Sequence, residues 1–190
     1  KLSTKTKTWL TKVDSIKGLH FRHVENNYVD FNRHKLIPYQ ISDRGPATAV
    51  GDLNNDGKED IFFGSSRNQP SELFVQTANG FVKKDLSVFE SKKLNEDVSA
   101  SIADFNKDGL NDLFIVTAGG EFYNDAKPLQ DVLYQNKRGL SFENVKLPDF
   151  FGNASVIKTI DIDNDGDMDV FIGGHADALN FGELPNSYIL

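Results

Sequence analysis

The sequence predicts an all-β protein, a partial β-propeller of about three four-stranded blades. Three observations point there. One Asp- and Gly-containing pattern recurs three times along the 190 residues. Short β-branched or aromatic runs flank every copy, and Gly, Asn and Pro bound those runs. Such runs are strand signals, and a self-similar unit of about 50 residues suggests blades rather than a single sandwich.

The first copy occupies residues 47–64, the second 99–116 and the third 155–173. Their leading aspartates are Asp52, Asp104 and Asp161, spaced 52 and then 57 residues apart. Each copy consists of an apolar strand, an Asp-rich loop and a second apolar run, at 61–63, 113–116 and 170–172. A third run follows at 73–75, 132–134 and 187–190, and a fourth after a Gly turn at 80–82 and 139–145. Four short strands per unit is the count of a propeller blade.

The expected organisation is therefore a leader and connector at 1–45, then blades at 46–90, 91–150 and 151–190, the last without its final strand. Gly18, Leu19, Phe21 and Val24 match Gly139, Leu140, Phe142 and Val145. Residues 18–24 are accordingly expected as the outermost strand of a preceding blade. Such a strand could complete the third blade, in the same chain or by self-association with a neighbour. Truncation of one larger propeller is the simpler account.

Each loop reads Asp-x-Asn/Asp-x-Asp-Gly-x-x-Asp. In loop one the candidate ligands are Asp52, Asn54, Asp56 and Asp60 with the backbone carbonyl of Lys58. In loop two they are Asp104, Asn106, Asp108 and Asp112 with the carbonyl of Leu110. In loop three they are Asp161, Asp163, Asp165 and Asp169 with the carbonyl of Asp167. Positions 1, 3 and 5 turn alternate oxygens toward one point, and Gly at position 6 permits the sharp turn, with positive φ expected. Hard oxygen donors without imidazole or sulfur select Ca²⁺ or Mg²⁺ over zinc or copper, and the strict octahedral demand of Mg²⁺ favours calcium. Three Ca²⁺ would move the formal charge from -7 to about -1. The four carboxylates of loop three predict the tightest site. An EF-hand is excluded, because position 12 is Phe63, Ile115 or Ile172 where a bidentate Glu is required, and the flanks read as strands. A metal-free Asx turn explains one such loop but not three in register.

These loops resemble those of the FG-GAP repeats of integrin α-subunits and, more closely, the VCBS repeats of bacterial secreted proteins. Phe151 and Gly152, followed by Ala154, Ser155 and Val156, match the "FG" half in the third unit. The other half is represented by Gly64, Ser65 and Ser66, by Ala118, Gly119 and Gly120, and by Gly173 and Gly174, where integrins carry Gly-Ala-Pro. Units one and two lack Phe-Gly before the loop strand. The resemblance covers residues 46–190. It implies a propeller of typically seven blades, calcium between the first two strands of a blade, and an extracellular, cell-surface or periplasmic setting.

The remaining features mostly exclude. With no cysteine there are no disulfides or thiolate metal sites. The acidic balance argues against a nucleic-acid partner, and no apolar stretch is long enough for a membrane helix. Residues 1–19 are Lys- and Thr-rich without the apolar core of a signal peptide. No nucleophile elbow, zincin helix or Walker loop occurs, so the chain is not expected to be an enzyme. His20 and His23 read as surface residues. Isolated His34 and His175 are weak candidates, of which His175, near a blade end, is the one that could touch a ligand. Residues 26–45 form a longer connector carrying Tyr28, Phe31, Arg33, Tyr39 and Arg44, and residues 119–130 form a loop with Tyr123. Both read as packing insertions or recognition surfaces. The leading functional expectation is a calcium-stabilised module for adhesion or for glycan or protein recognition. A fragment of a calcium-bearing polysaccharide-active enzyme and an architectural spacer are the alternatives.

Overall fold

The computed structural model describes residues 9–13, 15–180 and 182–190. Among these, eleven strands form three antiparallel sheets, two of four strands and one of three. Blade one is β1 (Thr48–Gly51), β2 (Asp60–Phe63), β3 (Glu72–Thr77) and β4 (Gly80–Lys84), in sequence order across the sheet. A single helical turn, α1 (Ser87–Glu90), leads to blade two: β5 (Glu96–Ala103), β6 (Asp112–Ala118), β7 (Val132–Asn136) and β8 (Phe142–Val145). Blade three is β9 (Asn153–Ile160), β10 (Asp169–Ala176) and β11 (Tyr188–Ile189). The all-β, blade-like architecture is the one the repeats predict, and each Asp loop joins the first two strands of its sheet.

Alternation of side chains across the pleat decides which residues enter the core. Ala49, Phe62, Leu73 and Val75 of blade one meet Leu113, Ile115, Val132 and Tyr134 of blade two in one buried cluster. The opposite face of blade two sends Phe114 and Val116 against Ala154, Ile157, Val170 and Ile172 of blade three. Strand β6 is therefore buried along its whole length. That explains the apolar run 113–116 at its centre, whereas burial alternates along β1 and β7: a strand covered on both faces has no solvent side. Each fully buried side chain of this kind contributes about 1.5–3 kcal/mol.

Residues 18–24 join no ladder among the described residues. Instead the segment crosses the face of blade one that looks away from blade two. Phe21 stacks on Phe63 with ring centroids 4.2 Å apart and planes at 5°, and Phe63 in turn packs edge-on against Phe74. Single hydrogen bonds pin its ends, from the Phe81 N–H to the Lys17 carbonyl at 2.8 Å and from the Ser66 hydroxyl to the Val24 carbonyl at 2.5 Å. Covering aromatic surface outweighs edge pairing here, because the aromatic face of blade one has no other cover among the described residues.

The connector 26–45 lies at the end of the blades opposite the Asp loops. Its anchor is Asp30, fully buried within a short 3-10 turn (Asp30–Asn32). The Asp30 carboxylate accepts the N–H groups of Ile41 and Ser42, both at 2.9 Å, and the Ser42 hydroxyl at 2.7 Å. The same hydroxyl accepts the Gly120 N–H at 2.7 Å, which ties the connector to blade two. Toward blade three, the His34 Nε2 lies 2.5 Å from the Ala178 carbonyl, and Ile41 packs with Ala176 and Ala178. The connector is thus a packed cross-brace, with Phe31, Leu36 and Tyr39 left exposed on its outer side.

Candidate metal centres

All three loops adopt one backbone path. Position 6 has positive φ in each, at 81° for Gly57, 82° for Gly109 and 87° for Gly166, as the turn requires. Position 4 is also left-handed, at Asn55, Lys107 and Asn164. That second reversal was not legible in the sequence, because Lys107 carries none of the usual signal for it.

In loop one the Asp52 carboxylate accepts the Asp56 N–H at 3.1 Å and the Gly57 N–H at 2.7 Å, while the Asn54 side-chain oxygen accepts the Asp56 N–H at 3.0 Å. Loop two repeats this with Asp104, Asn106, Asp108 and Gly109 at 2.8–3.1 Å. In loop three Asp161 accepts the Gly166 N–H at 3.1 Å and Asp163 the Asp165 N–H at 3.2 Å. The N–H groups of Lys58, Leu110 and Asp167 each donate to the position-5 carboxylate, Asp56, Asp108 or Asp165, at 2.9–3.0 Å. The side chains at positions 1, 3 and 5 are therefore drawn to the inside of each turn.

Position 9 behaves differently. Asp60 and Asp112 are almost wholly buried, and each bridges two backbone segments. Asp60 accepts from Leu53 within the loop and from Gln76 on β3, at 3.0 and 2.9 Å. Asp112 accepts from Phe105 and from Asn136 on β7, at 3.3 and 2.8 Å. Loss of solvent pushes both carboxyls up, against the backbone donors that hold them down. Asp169 keeps the loop bond, from Ile162 at 2.8 Å. Asp169 is less buried than its two counterparts.

Among the described residues, acidic side chains close enough to share one ion occur in loop three. Asp161, Asp163 and Asp169 present oxygens within 4.8 Å of one another, and so do Asp163, Asp165 and Asp167. These Asp clusters can hold a metal ion. Loops one and two have Asn at position 3 and so bring fewer charges together. Asp161 Oδ1 is buried without a hydrogen-bond partner, a cost that an ion in the loop would remove. Like charges strain the same loop: Asp165, held down by the Asp167 N–H, pushes the Asp167 carboxyl up through a side-chain hydrogen bond. In loop one Lys58 supplies local compensation, its Nζ lying 3.2 Å from Asp56.

The loops are also joined to each other. The Asn111 side chain donates to the Asp52 carbonyl at 2.9 Å, and that of Asn136 donates to the Leu53 carbonyl at 2.7 Å and the Asn111 carbonyl at 3.0 Å. Lys107 of loop two stands 3.8 Å from Asp167 of loop three. Asn111 and Asn136 escaped sequence reasoning because amide side chains beside turns are common and nothing in their spacing marks a partner.

The histidines stay apart from these loops. His20 is exposed and His23 is bonded to Glu25. His175 lies 6.0 Å from the Tyr39 ring, with burial and then the nearby Arg44 pushing it below its ordinary range.

An FG-GAP-like repeat model matches residues 52–115 and again 104–172, so each match starts on the leading Asp of a loop and ends within the second strand of the next blade. A search of curated proteins finds no significant match. With repeat, blade and loop coinciding over most of its length, the chain belongs to the FG-GAP-like repeat family.

Proposed function

We propose that the chain is a non-catalytic, calcium-stabilised recognition module, working outside the cell or at its surface in adhesion or in binding a protein or glycan. The observation that carries the calcium reading is loop three, where Asp161, Asp163 and Asp169 present oxygens within 4.8 Å of one another and Asp161 Oδ1 is buried without a partner. Asp161, Asp163, Asp165 and Asp169 would hold the ion there. Asp52, Asn54 and Asp56, with Asp60, would do so in loop one, and Asp104, Asn106 and Asp108, with Asp112, in loop two. The carbonyls of Lys58, Leu110 and Asp167 would complete the sets. Bound calcium supplies positive charge that removes carboxylate repulsion and locks the turn between two strands.

The role is structural rather than chemical because loops one and two are tied into their sheets through the buried position-9 carboxylates Asp60 and Asp112. Recognition is then left to the opposite end, where the connector and the loops at 64–71, 119–131 and 177–180 gather. Among the described residues no helix is long and apolar enough to cross a membrane. Affinities of about 10⁻⁴–10⁻³ M are usual for extracellular calcium modules.

Thermal unfolding in EGTA, in millimolar calcium and in millimolar magnesium tests the reading. Saturation at about 100-fold over Kd adds about 2.7 kcal/mol per site. The expected result is a midpoint raised by calcium and raised less by magnesium. Equal midpoints in all three conditions would overturn it.

A further inference from the structure

At the connector end, a crevice of about 250 Å³ opens between blades two and three. Its position is set by an isolated bridge between Gln130 and Phe151, which holds residues 150–152 beside Asp131. The floor is the buried ends of β9 and β10, including Ala154, Ile172 and Ala176. One wall is aromatic, with the rings of Phe150 and Tyr188 at 4.5 Å centroid distance. The polar lining is acidic: Asp131 and Asp177 within, Glu183 at the rim. No Lys, Arg or His is among the described residues that line it.

Two further details mark the crevice as unsatisfied. Asn153 is only 5% exposed, lines the space, and its Oδ1 has no hydrogen-bond partner. Asp131 is engaged on one oxygen alone, by the Thr117 N–H at 2.9 Å and more weakly by the Thr117 hydroxyl. An amide oxygen and carboxylates are all acceptors, so the complementary ligand is a donor with positive charge. A bare metal ion does not fit, since these acids do not converge within 4.8 Å and much of the wall is apolar. An alkyl ammonium does: its chain suits the apolar floor, its head suits the acceptors, and aromatic faces attract cations. The adjoining space of about 120 Å³ adds Asp125 and Tyr123, and the Tyr123 ring already carries the Arg33 guanidinium at 4.2 Å.

We propose that this crevice binds a primary alkyl ammonium group, either that of a free amine or that of a lysine side chain on a partner protein. The polar end of the site does not depend on the calcium reading, because Asn153 and the end of β10 that leads to Asp177 lie seven residues along β9 and β10 from loop three, about 20 Å away, and only the apolar floor reaches toward that loop, at Ile172.

The test is an NMR titration of the full chain in saturating calcium with n-butylammonium, with N-acetyl-lysine N-methylamide, and with n-butanol and methyl glucoside as neutral probes. Saturable shifts confined to residues 131, 150–154 and 174–188 are expected with the two ammonium probes alone. Tighter binding of the lysine derivative points to a protein partner, and tighter binding of the free amine to a metabolite. Asp177→Asn and Glu183→Gln should each weaken binding, Asp177→Asn by about tenfold. Gly152→Leu should block the crevice without disturbing the fold, because a Cβ there meets nothing within 4 Å. An unchanged thermal midpoint, whether or not calcium shifts it, certifies that each variant is folded. Equal response to butanol or the glucoside, no saturable response, or undiminished binding by folded Gly152→Leu would overturn the proposal.

Discussion

The Asp60 carboxylate accepts the backbone N–H of Gln76 at 2.9 Å, so the last acidic residue of loop one is bonded directly to the third strand of its blade. Asp112 does the same with Asn136 in blade two. A residue that a linear motif presents as one more ligand is also the clasp between loop and sheet.

That dual role predicts a split between positions. Asp112→Ala leaves two buried N–H groups without acceptors and should destabilise the fold by about 2–5 kcal/mol even in EGTA. Asp108→Ala, at an exposed position, should cost little in EGTA and remove the share of the calcium-induced rise that loop two supplies, leaving that of loops one and three. Urea unfolding of both variants with and without calcium checks this, and similar losses in EGTA would contradict it.

Loop three should hold calcium most tightly, on carboxylate count. Asp163→Asn converts it to the Asn-containing pattern of its neighbours and should lower its affinity by about tenfold, or about 1.4 kcal/mol. Asn54→Asp should raise that of loop one. Calorimetric titration of the two variants against the parent reads both changes.

At the connector end the buried carboxyl of Glu96 is pushed up to about 8, by desolvation first and then by neighbouring Glu25. A carboxyl whose folded value lies above its unfolded one contributes stability below the unfolded value, and that stability is lost as pH rises through the folded value. Between pH 5 and 8 the midpoint should therefore fall, with Asp97 at about 6 and Asp131 at about 7 adding in the same direction. Glu96→Gln keeps an acceptor for the Arg44 N–H and should flatten part of that slope. Melting curves of parent and variant across this range in saturating calcium provide the comparison, and parallel slopes would count against it.

Gly120 packs where a side chain has no room: a Cβ would stand 1.9 Å from the Asp30 carboxylate and 2.6 Å from the Ser42 hydroxyl. Gly120→Ala should cost about 3 kcal/mol or more by forcing the connector off blade two. Asp30→Ala should cost a similar amount through its orphaned donors. Chemical denaturation measures both, and calcium binding should survive in each because the loops lie at the far end.

Strand positions and the three loops were legible because both are local and periodic. The runs at 61–63, 113–116 and 170–172 carry their strand signal in a few adjacent residues, and Asp-x-Asn/Asp-x-Asp-Gly closes on itself within one turn. Where the segment 18–24 packs was not legible, for the complementary reason. Its likeness to 139–145 is a likeness of composition, and whether such a run pairs at an edge or covers a face depends on what surface is waiting for it. Phe63 was waiting, and Phe21 covers it.

The amino-acid sequence by itself determined the repeat, the blade count and where the Asp clusters stand, since each follows from side-chain type and spacing along a few residues. Only the tertiary structure decided that Asp60 and Asp112 clasp the third strand, that Asn111 and Asn136 couple loops one and two, and that the connector braces the far end through Asp30. Each of those joins residues at least eleven apart, and the link between Asn136 and Leu53 spans 83. Contacts at such separation exist only once the sheets have packed, because no short-range spacing encodes the partner that burial brings alongside.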